Sequence, residues 1–249
     1  MKFALLNDGR IEASKGAKGV CPCCGSELIA KCGEIVINHW AHKKKCDDHW
    51  WENETEWHRN WKNKFPKEWQ EVIQKDESSE RHIADVKTPD DCVIEFQHSA
   101  IKPEERRSRN NFYNKNSQLI WVVDCKRRKT DVKQFTNELS KSFNTSSPEI
   151  LEVYEDSRLL KEWKNNDSYV FLDFGDTEIS GSSFWCMFPI AYDGVAFIMP
   201  ISRSKFINYL NNNTFEKMFS EDIMKALSKI KSHIAELETA AARTDNSSL

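Results

Sequence analysis

The chain has 249 residues, 39% hydrophobic and 30% charged, with a formal net charge of −3 and a mean hydropathy of −0.68. Nine tryptophans and fourteen phenylalanines suffice for a real core, while no apolar run approaches the ~18 residues that span a bilayer. This balance excludes a membrane protein and a uniformly basic nucleic-acid coat, so any phosphate-binding surface must be a local patch.

The opening MKFALLNDGR lacks the apolar stretch and cleavage site of a secretory signal, and a cytoplasmic location is expected. Phe3–Leu6 and Ile11–Ala13 are predicted strands of a hairpin. Asn7-Asp8-Gly9 is its turn, because Asn and Gly tolerate positive φ.

Cys21, Cys23, Cys24, Cys32 and Cys46 make five of the eight cysteines. Without a secretory signal, such clustering reads as metal binding rather than a disulfide framework. Cys21-x2-Cys24, followed by Gly25 for a tight turn, forms a zinc knuckle. His39-x2-His42-x3-Cys46 supplies the second half. Zinc takes four tetrahedral ligands from thiolate and imidazole. Cys21 and Cys24 are joined by His42 and Cys46, spaced as at a helix start, with His39 competing for the fourth place. Cys23 and Cys32 are bystanders. A zinc with four protein ligands has no open position, so its role is structural: it braces the helix that follows. Lys43, Lys44 and Lys45 read first as a solvated surface, and second as a contact to nucleic acid.

That helix is predicted over Glu54–Phe65, ending near Pro66. Glu54, His58 and Lys62 share one face, and Trp57, Trp61 and Phe65 form a neighbouring apolar stripe. One side can pack against a sheet; the other carries a carboxylate, an imidazole and an amine. Residues 67–76 read as extended. Ile83–Gln97 then holds two short apolar strands around Lys87–Asp91, whose Pro89, Asp90 and Asp91 read as a turn. Strand alternation puts Glu95 and Gln97 on one side and Ile94 and Phe96 on the other. With Asp85 facing the same side, two carboxylates and an amide converge. Such a pair suits a hard cation such as Mg²⁺, or Mn²⁺, which prefers oxygen ligands and keeps several waters.

Pro103–Tyr113 is a predicted helix, with Pro and two Glu in its first turn, and Arg109 and Tyr113 facing one way. Leu119–Asp124, LIWVVD, reads as a strand buried on both faces, so a βαβ crossover is implied. Between Lys102 and Lys129 basic residues outnumber acidic ones, and Arg127, Arg128 and Lys129 follow the strand. This stretch is read as a phosphate track. Residues 130–149 are polar and read as loop, ending in a linker at Asn144–Pro148. Beyond it, Tyr169–Asp173 and Phe184–Met199 are predicted strands, the latter turning at Tyr192-Asp193-Gly194. Ser202–Leu210 and Ser220–Leu237 read as helices and Thr239–Leu249 as a frayed tail.

Glu54-x3-His58, Ile83-Ala84-Asp85-Val86, Glu95-Phe96-Gln97 with Ser99, Arg109-x3-Tyr113 and Ile120-Trp121-Val122-Val123 together resemble the competence-protein CoiA-like family, a branch of the PD-(D/E)xK nuclease superfamily. His39-Trp40-Ala41-His42 resembles that family's HFAH. The resemblance covers roughly residues 1 to 125. It implies an α/β fold with a restriction-endonuclease-like mixed-sheet core. The expected organisation is a hairpin and zinc finger over 1–50, a nuclease core over 51–149 and an α+β accessory region over 150–249. It further implies metal-dependent hydrolysis of DNA, with Asp85, Glu95 and Glu54 around Mg²⁺, His58 beside them, and Gln97 where relatives carry the lysine of E-x-K. Gln can neither act as a general base nor offer positive charge, so Lys62 or His58 is expected to stand in. Lys62, Arg109, Tyr113, Arg127, Arg128 and Lys129 are the expected nucleic-acid contacts. The alternatives are a non-catalytic nucleic-acid-binding module with a zinc finger, and a zinc-centred protein-interaction factor. Residues 150–249 are expected to serve a protein partner or a homodimer.

Overall fold

Phe3–Leu6 (β1) and Gly9–Glu12 (β2) form the predicted hairpin. Its two central residues, Asn7 and Asp8, sit at φ 48° and 63°, the conformation whose twist matches paired strands. The computed structural model describes residues 1–44, 46, 48–50, 52–144, 148–154, 158–164, 166–212 and 219–246. Lys45, Trp51, residues 145–147 of the expected linker and 247–249 of the expected tail lie outside the described residues. The chain divides into two units, Met1–Asp124 and Cys125–Leu249, so the division falls inside the stretch 51–149.

In the first unit the hairpin is extended by Lys18–Val20 (β3), Glu27–Lys31 (β4) and His39–His42 (β5) into a five-stranded antiparallel sheet of order β2-β1-β3-β4-β5. None of these three strands is announced by apolar alternation in the sequence. They are short, and what holds them is the ladder to a neighbour together with the burial of Ala4, Leu28 and Trp40 on one face. The helix start expected at His42 is corrected by this strand.

The second layer of the unit begins with helix α1 (Glu56–Lys62). Thr55, extended at φ −111°, is its N-cap and accepts from the His58 N–H, as Thr does at helix starts. Glu54 therefore lies just before the helix rather than within it. The Trp57, Trp61 and Phe65 stripe packs on Phe96, with ring centroids 6.2, 5.7 and 6.4 Å away. A short 3-10 turn, Lys67–Trp69, leads into β6 (Gln70–Lys75), then β7 (Arg81–Lys87) and β8 (Cys92–Gln97). Helix α2 (Pro103–Tyr113) crosses over to β9 (Gln118–Asp124), which runs parallel to β8. These strands follow the order β6-β7-β8-β9 and form a mixed sheet. Trp121 and its neighbours Ile120 and Val122 are fully buried, as a strand covered on both faces requires.

In the second unit, residues expected as loop are helix α3 (Lys129–Glu138) and strand β10 (Leu139–Asn144). Their polar composition hides Phe135, which is wholly buried, and β10 exists through its ladder to β11 (Ile150–Tyr154). Helix α4 (Arg158–Trp163) follows, then β12 (Tyr169–Asp173), β13 (Phe184–Tyr192) and β14 (Val195–Pro200). The predicted turn falls at Asp193 and Gly194, both at positive φ. Ser202 caps α5 (Arg203–Asn211). The last helix, α6, runs Met224–Asn246 through most of the segment expected to fray, because Ala240, Ala241 and Ala242 are strong helix formers. Among the described residues, no helix is long and apolar enough to cross a membrane.

Candidate active site and metal centre

The Cys/His cluster is built from a turn carrying Cys21 and Cys24, the strand end at His42, and Cys46 just beyond it. Gly25, at φ +71°, lets its N–H return to the Cys21 carbonyl at 2.9 Å, so the knuckle closes with both thiols on one side. Strand alternation decides between the two histidines. His42 lies on the same face of β5 as buried Trp40, whereas His39, an odd number of residues away, faces the other side and bonds through Nδ1 to the Ile37 carbonyl. Cys21, Cys24, His42 and Cys46 bring their ligand atoms within 4.8 Å of one another. Cys24 Sγ is 3.6 Å from Cys46 Sγ and 3.5 Å from His42 Nε2, and Cys21 Sγ is 3.9 Å from Cys46 Sγ. A tetrahedron with Zn–S near 2.3 Å and Zn–N near 2.0 Å has S···S edges of roughly 3.8 Å and S···N edges of roughly 3.5 Å. The donor set therefore fits a structural metal of the zinc type. Burial pushes the Cys21 thiol up. Cys24 is instead held at about 6: burial opposes this, but hydrogen bonds from Ser26 and His42 favour its thiolate. Cys23 and Cys32 stand outside the cluster, and all eight cysteines are free.

The second site lies where β7 and β8 part. Their ladder pairs Val86 with Ile94 and Lys87 with Val93. Beyond it, side chains replace backbone partners. Asp85 Oδ2 accepts the Phe96 N–H at 3.0 Å, and Glu95 Oε1 accepts the Asp85 N–H at 3.3 Å. Each carboxylate thus satisfies a backbone donor that the parting strands would otherwise orphan. Both line one cavity with Glu52, Glu54, His58 and Lys62. Burial first, and then the Asp85 charge, push the Glu95 carboxyl up to about 8, against the pull of Arg109. Asp85 is also raised, by burial.

Cations compensate this charge. Lys62 Nζ, 2% exposed, lies 2.8 Å from both Glu54 Oε2 and Glu71 Oε1 and 3.8 Å from Asp85 Oδ1. Those carboxylates outweigh its burial and raise its pKa, so it stays an ammonium. Glu54 also accepts from Arg59 Nε at 3.0 Å. Although buried, it is held at about 2 by Lys62 and its neighbours. Arg109 Nη1 donates to Glu95 Oε2 at 3.0 Å, and Nη2 donates to Glu105 and to the Trp50 carbonyl. His58 Nε2 meets Glu52 Oε2 at 3.1 Å and the Phe96 carbonyl at 3.0 Å. Burial opposes its protonation, yet Glu52 and Asp85 raise its pKa.

Among the sequence-predicted residues, Asp85, Glu95, Glu54, His58 and Lys62 come together in this cavity. Gln97 is turned aside, its Nε2 donating to Ser99 O at 3.0 Å and Glu52 Oε2 at 3.3 Å. Lys62, Arg109 and Tyr113 are buried, so none of them is presented at the surface. Arg127 and Arg128 both bond Glu162; the Lys129 side chain lies outside the described residues. The sequence did not reveal four partners of the site, three of them buried and one, Glu52, half-buried. They are Asp48, Glu52, Glu71, which accepts the Lys2 and Phe3 N–H groups, and His82, held by Asp48 at 2.9 Å. The one signal available was the alternation of Asp48, Trp50, Glu52 and Glu54 ahead of the helix cap, which is the period of extended chain.

An α/β protein with a mixed sheet, two carboxylates at its parting strands and a metal-competent Cys/His cluster is the class this geometry defines. The chain belongs to the competence protein CoiA-like family: residues 6–48 match the competence protein CoiA N-terminal domain and residues 78–160 its nuclease-like domain. Neither a curated protein nor a solved structure matches the chain.

Proposed function

We propose that the first unit is a divalent-cation-dependent nuclease that hydrolyses phosphodiester bonds of DNA, in uptake, processing or defence against foreign DNA. The observation that carries this is the meeting of Asp85 and Glu95 in one cavity, where burial raises both carboxyls, that of Glu95 to about 8. Such a pair takes up either a proton or a cation. Its donors are all oxygen, which suits Mg²⁺ or Mn²⁺ bound through one or two carboxylates. The core that holds them, β6-β7-β8-α2-β9, is read as restriction-endonuclease-like on the same ground.

Asp85 and Glu95 would hold the cation, whose chemistry there would be to lower the pKa of a bound water and to polarise the phosphate. Lys62 provides the positive charge that Gln97 lacks, from the helix side of the cavity. As a locked ammonium it stabilises developing negative charge and takes no proton. Glu54, expected as a third cation ligand, is engaged by Lys62 and Arg59 and serves to aim that ammonium. His58 holds the Phe96 carbonyl beside Glu95. Arg109 restrains Glu95 rather than reaching a phosphate, and contact by Arg127 or Arg128 with DNA has to displace Glu162. The free thiols suit a reducing, cytoplasmic setting. Residues 150–249 remain the proposed seat of a protein partner or second copy.

Gln97 turned onto Glu52 favours one second reading, a nucleic-acid-binding module that keeps the fold without turnover. Incubation with single- and double-stranded DNA in Mg²⁺ or Mn²⁺ separates the two. Cleavage is expected, and Asp85→Ala or Glu95→Ala should lower it by on the order of a thousandfold with binding kept. Binding without cutting in either metal would establish the module. Neither binding nor cutting would point to a zinc-centred protein-interaction factor.

A further inference from the structure

Residues 46, 48, 50, 52 and 54 reach in turn toward the two sites. Cys46 is a member of the Cys/His cluster. Asp48 accepts from His82 Nδ1 at 2.9 Å and from the Ile83 N–H at the start of the β7 core. Trp50 gives its carbonyl to Arg109 and stacks its ring on His82, centroids 3.2 Å apart. Glu52 collects four donors: His58 Nε2, Gln97 Nε2, and the N–H groups of His98 and Ser99. Glu54 takes Lys62. His42 and Cys46 line the same cavity as Asp85 and Glu95. Cys46, Asp48, Trp50, Glu52 and Glu54, at every second position, thus make contacts that run from the cluster to the carboxylates.

Glu52 is the tip of this stretch. It does not cap α1, which Thr55 does. Its bonds go instead to the exit of β8, directly after Glu95, and to the imidazole that holds the Phe96 carbonyl. Hydrogen bonds to a charged acceptor are the strong ones, so four on one carboxylate fix that exit firmly. His58, though buried, has its Nε2 3.1 Å from the same carboxylate.

We propose that Glu52 is a positioning residue of the carboxylate site, held in place by the Cys/His cluster through the contacts of Asp48 and Trp50, so that emptying the cluster loosens the end of β8. Its relevance to catalysis rests on the nuclease reading; the coupling itself does not.

The test is amide hydrogen exchange on the full chain, read at His98 and Ser99 and compared with Ile120–Val123 of β9. Glu52→Gln should speed exchange at 98 and 99 by about tenfold or more, the worth of one ordinary hydrogen bond, and leave β9 unchanged. Cys46→Ser, and zinc removal by a chelator, should do the same from the far end of the stretch. Asp48→Asn, which leaves all four cluster ligands in place, should reproduce the effect. The ¹⁵N spectrum of the His58 ring should shift in Glu52→Gln and return toward the parent in Glu52→Asp. Unchanged protection at 98 and 99 in both Cys46→Ser and Asp48→Asn overturns the proposal. If Cys46→Ser also opens β9, the chain is failing to fold and Asp48→Asn decides alone. A chain that shows this coupling but never cuts DNA keeps the inference and sinks the nuclease reading. A chain that cuts in an Asp85-dependent way without the coupling does the reverse.

Discussion

The Cys/His cluster and the carboxylate site of the first unit differ in how their charge is balanced. At the Cys/His cluster, the thiols of Cys21, Cys24 and Cys46 find one another, the His42 ring, the Ser26 hydroxyl and backbone amides. At the carboxylate site, Lys62 and Arg109 stand against Asp85 and Glu95. The first arrangement has no cation among these contacts, and a metal would supply one. The second carries its own counter-charges. The soft donors of the cluster therefore suit a structural metal, whereas the carboxylate pair has its counter-charges already in place.

The largest effect should come from breaking the dependent site. Cys24→Ser is expected to abolish bound zinc, read by metal analysis, and to destabilise the N-terminal sheet by several kcal/mol, since structural zinc binding is folding free energy. Normal zinc content in that variant would remove the contrast.

Next comes the self-balanced site. Arg109→Met leaves Glu95 buried without its partner, at a cost of about 3–5 kcal/mol in denaturant unfolding. Protonation of Glu95 can relieve part of it, so the loss should be greater at pH 9 than at pH 6.

The pH dependence sharpens this further. Glu95 has a folded pKa of about 8, above its ordinary value of 4.5. Between these values the folded chain holds a proton that the unfolded chain releases. Stability of the metal-free protein should therefore fall as pH rises through that window, by up to about 1 kcal/mol per pH unit. His58, also raised, adds in the same sense. Glu52 and Glu54, both lowered to about 2, act in the opposite sense: they lose their contribution only as pH falls below the ordinary carboxyl range. Glu95→Gln should flatten the slope between pH 5 and 8, and saturating Mg²⁺ should flatten it in the parent. An unaltered slope in Glu95→Gln would count against the buried pair.

The smallest effect is expected at Lys43, whose pair with Glu27 lies in open solvent beside the cluster. Exposed pairs are screened, so Lys43→Ala should leave the denaturant midpoint and the zinc content unchanged.

How much of this was legible depended on the range of the forces involved. Helix α2 was readable to the residue because Pro103, Glu104 and Glu105 mark its start locally. The β7–α2–β9 order followed from apolar strands around a helical segment. The hairpin at Asn7 and Asp8 was equally local, set by backbone sterics. Strands β3, β4 and β5 were not readable: each is three to five residues long and exists through its partner's ladder. The same blindness hid β10, which pairs with β11 across the segment between them. At the site, Asp85, Glu95, Glu54, His58 and Lys62 were found by spacing. Glu52 and Asp48 were not, because their partners lie 46 and 34 residues away.

By itself, the amino-acid sequence determined the ligand chemistry: thiolates and imidazole in one stretch, carboxylates at the ends of two strands, an aromatic stripe to pack a helix on a sheet. These are properties of residue type and short periodicity. Only the tertiary structure decided which histidine joins the cluster, that Lys62 and Arg109 are consumed as buried counter-ions, and that Glu52 binds the end of β8. Those outcomes depend on which groups burial forces to share charge and hydrogen bonds, and that is set by chain segments meeting across long separations.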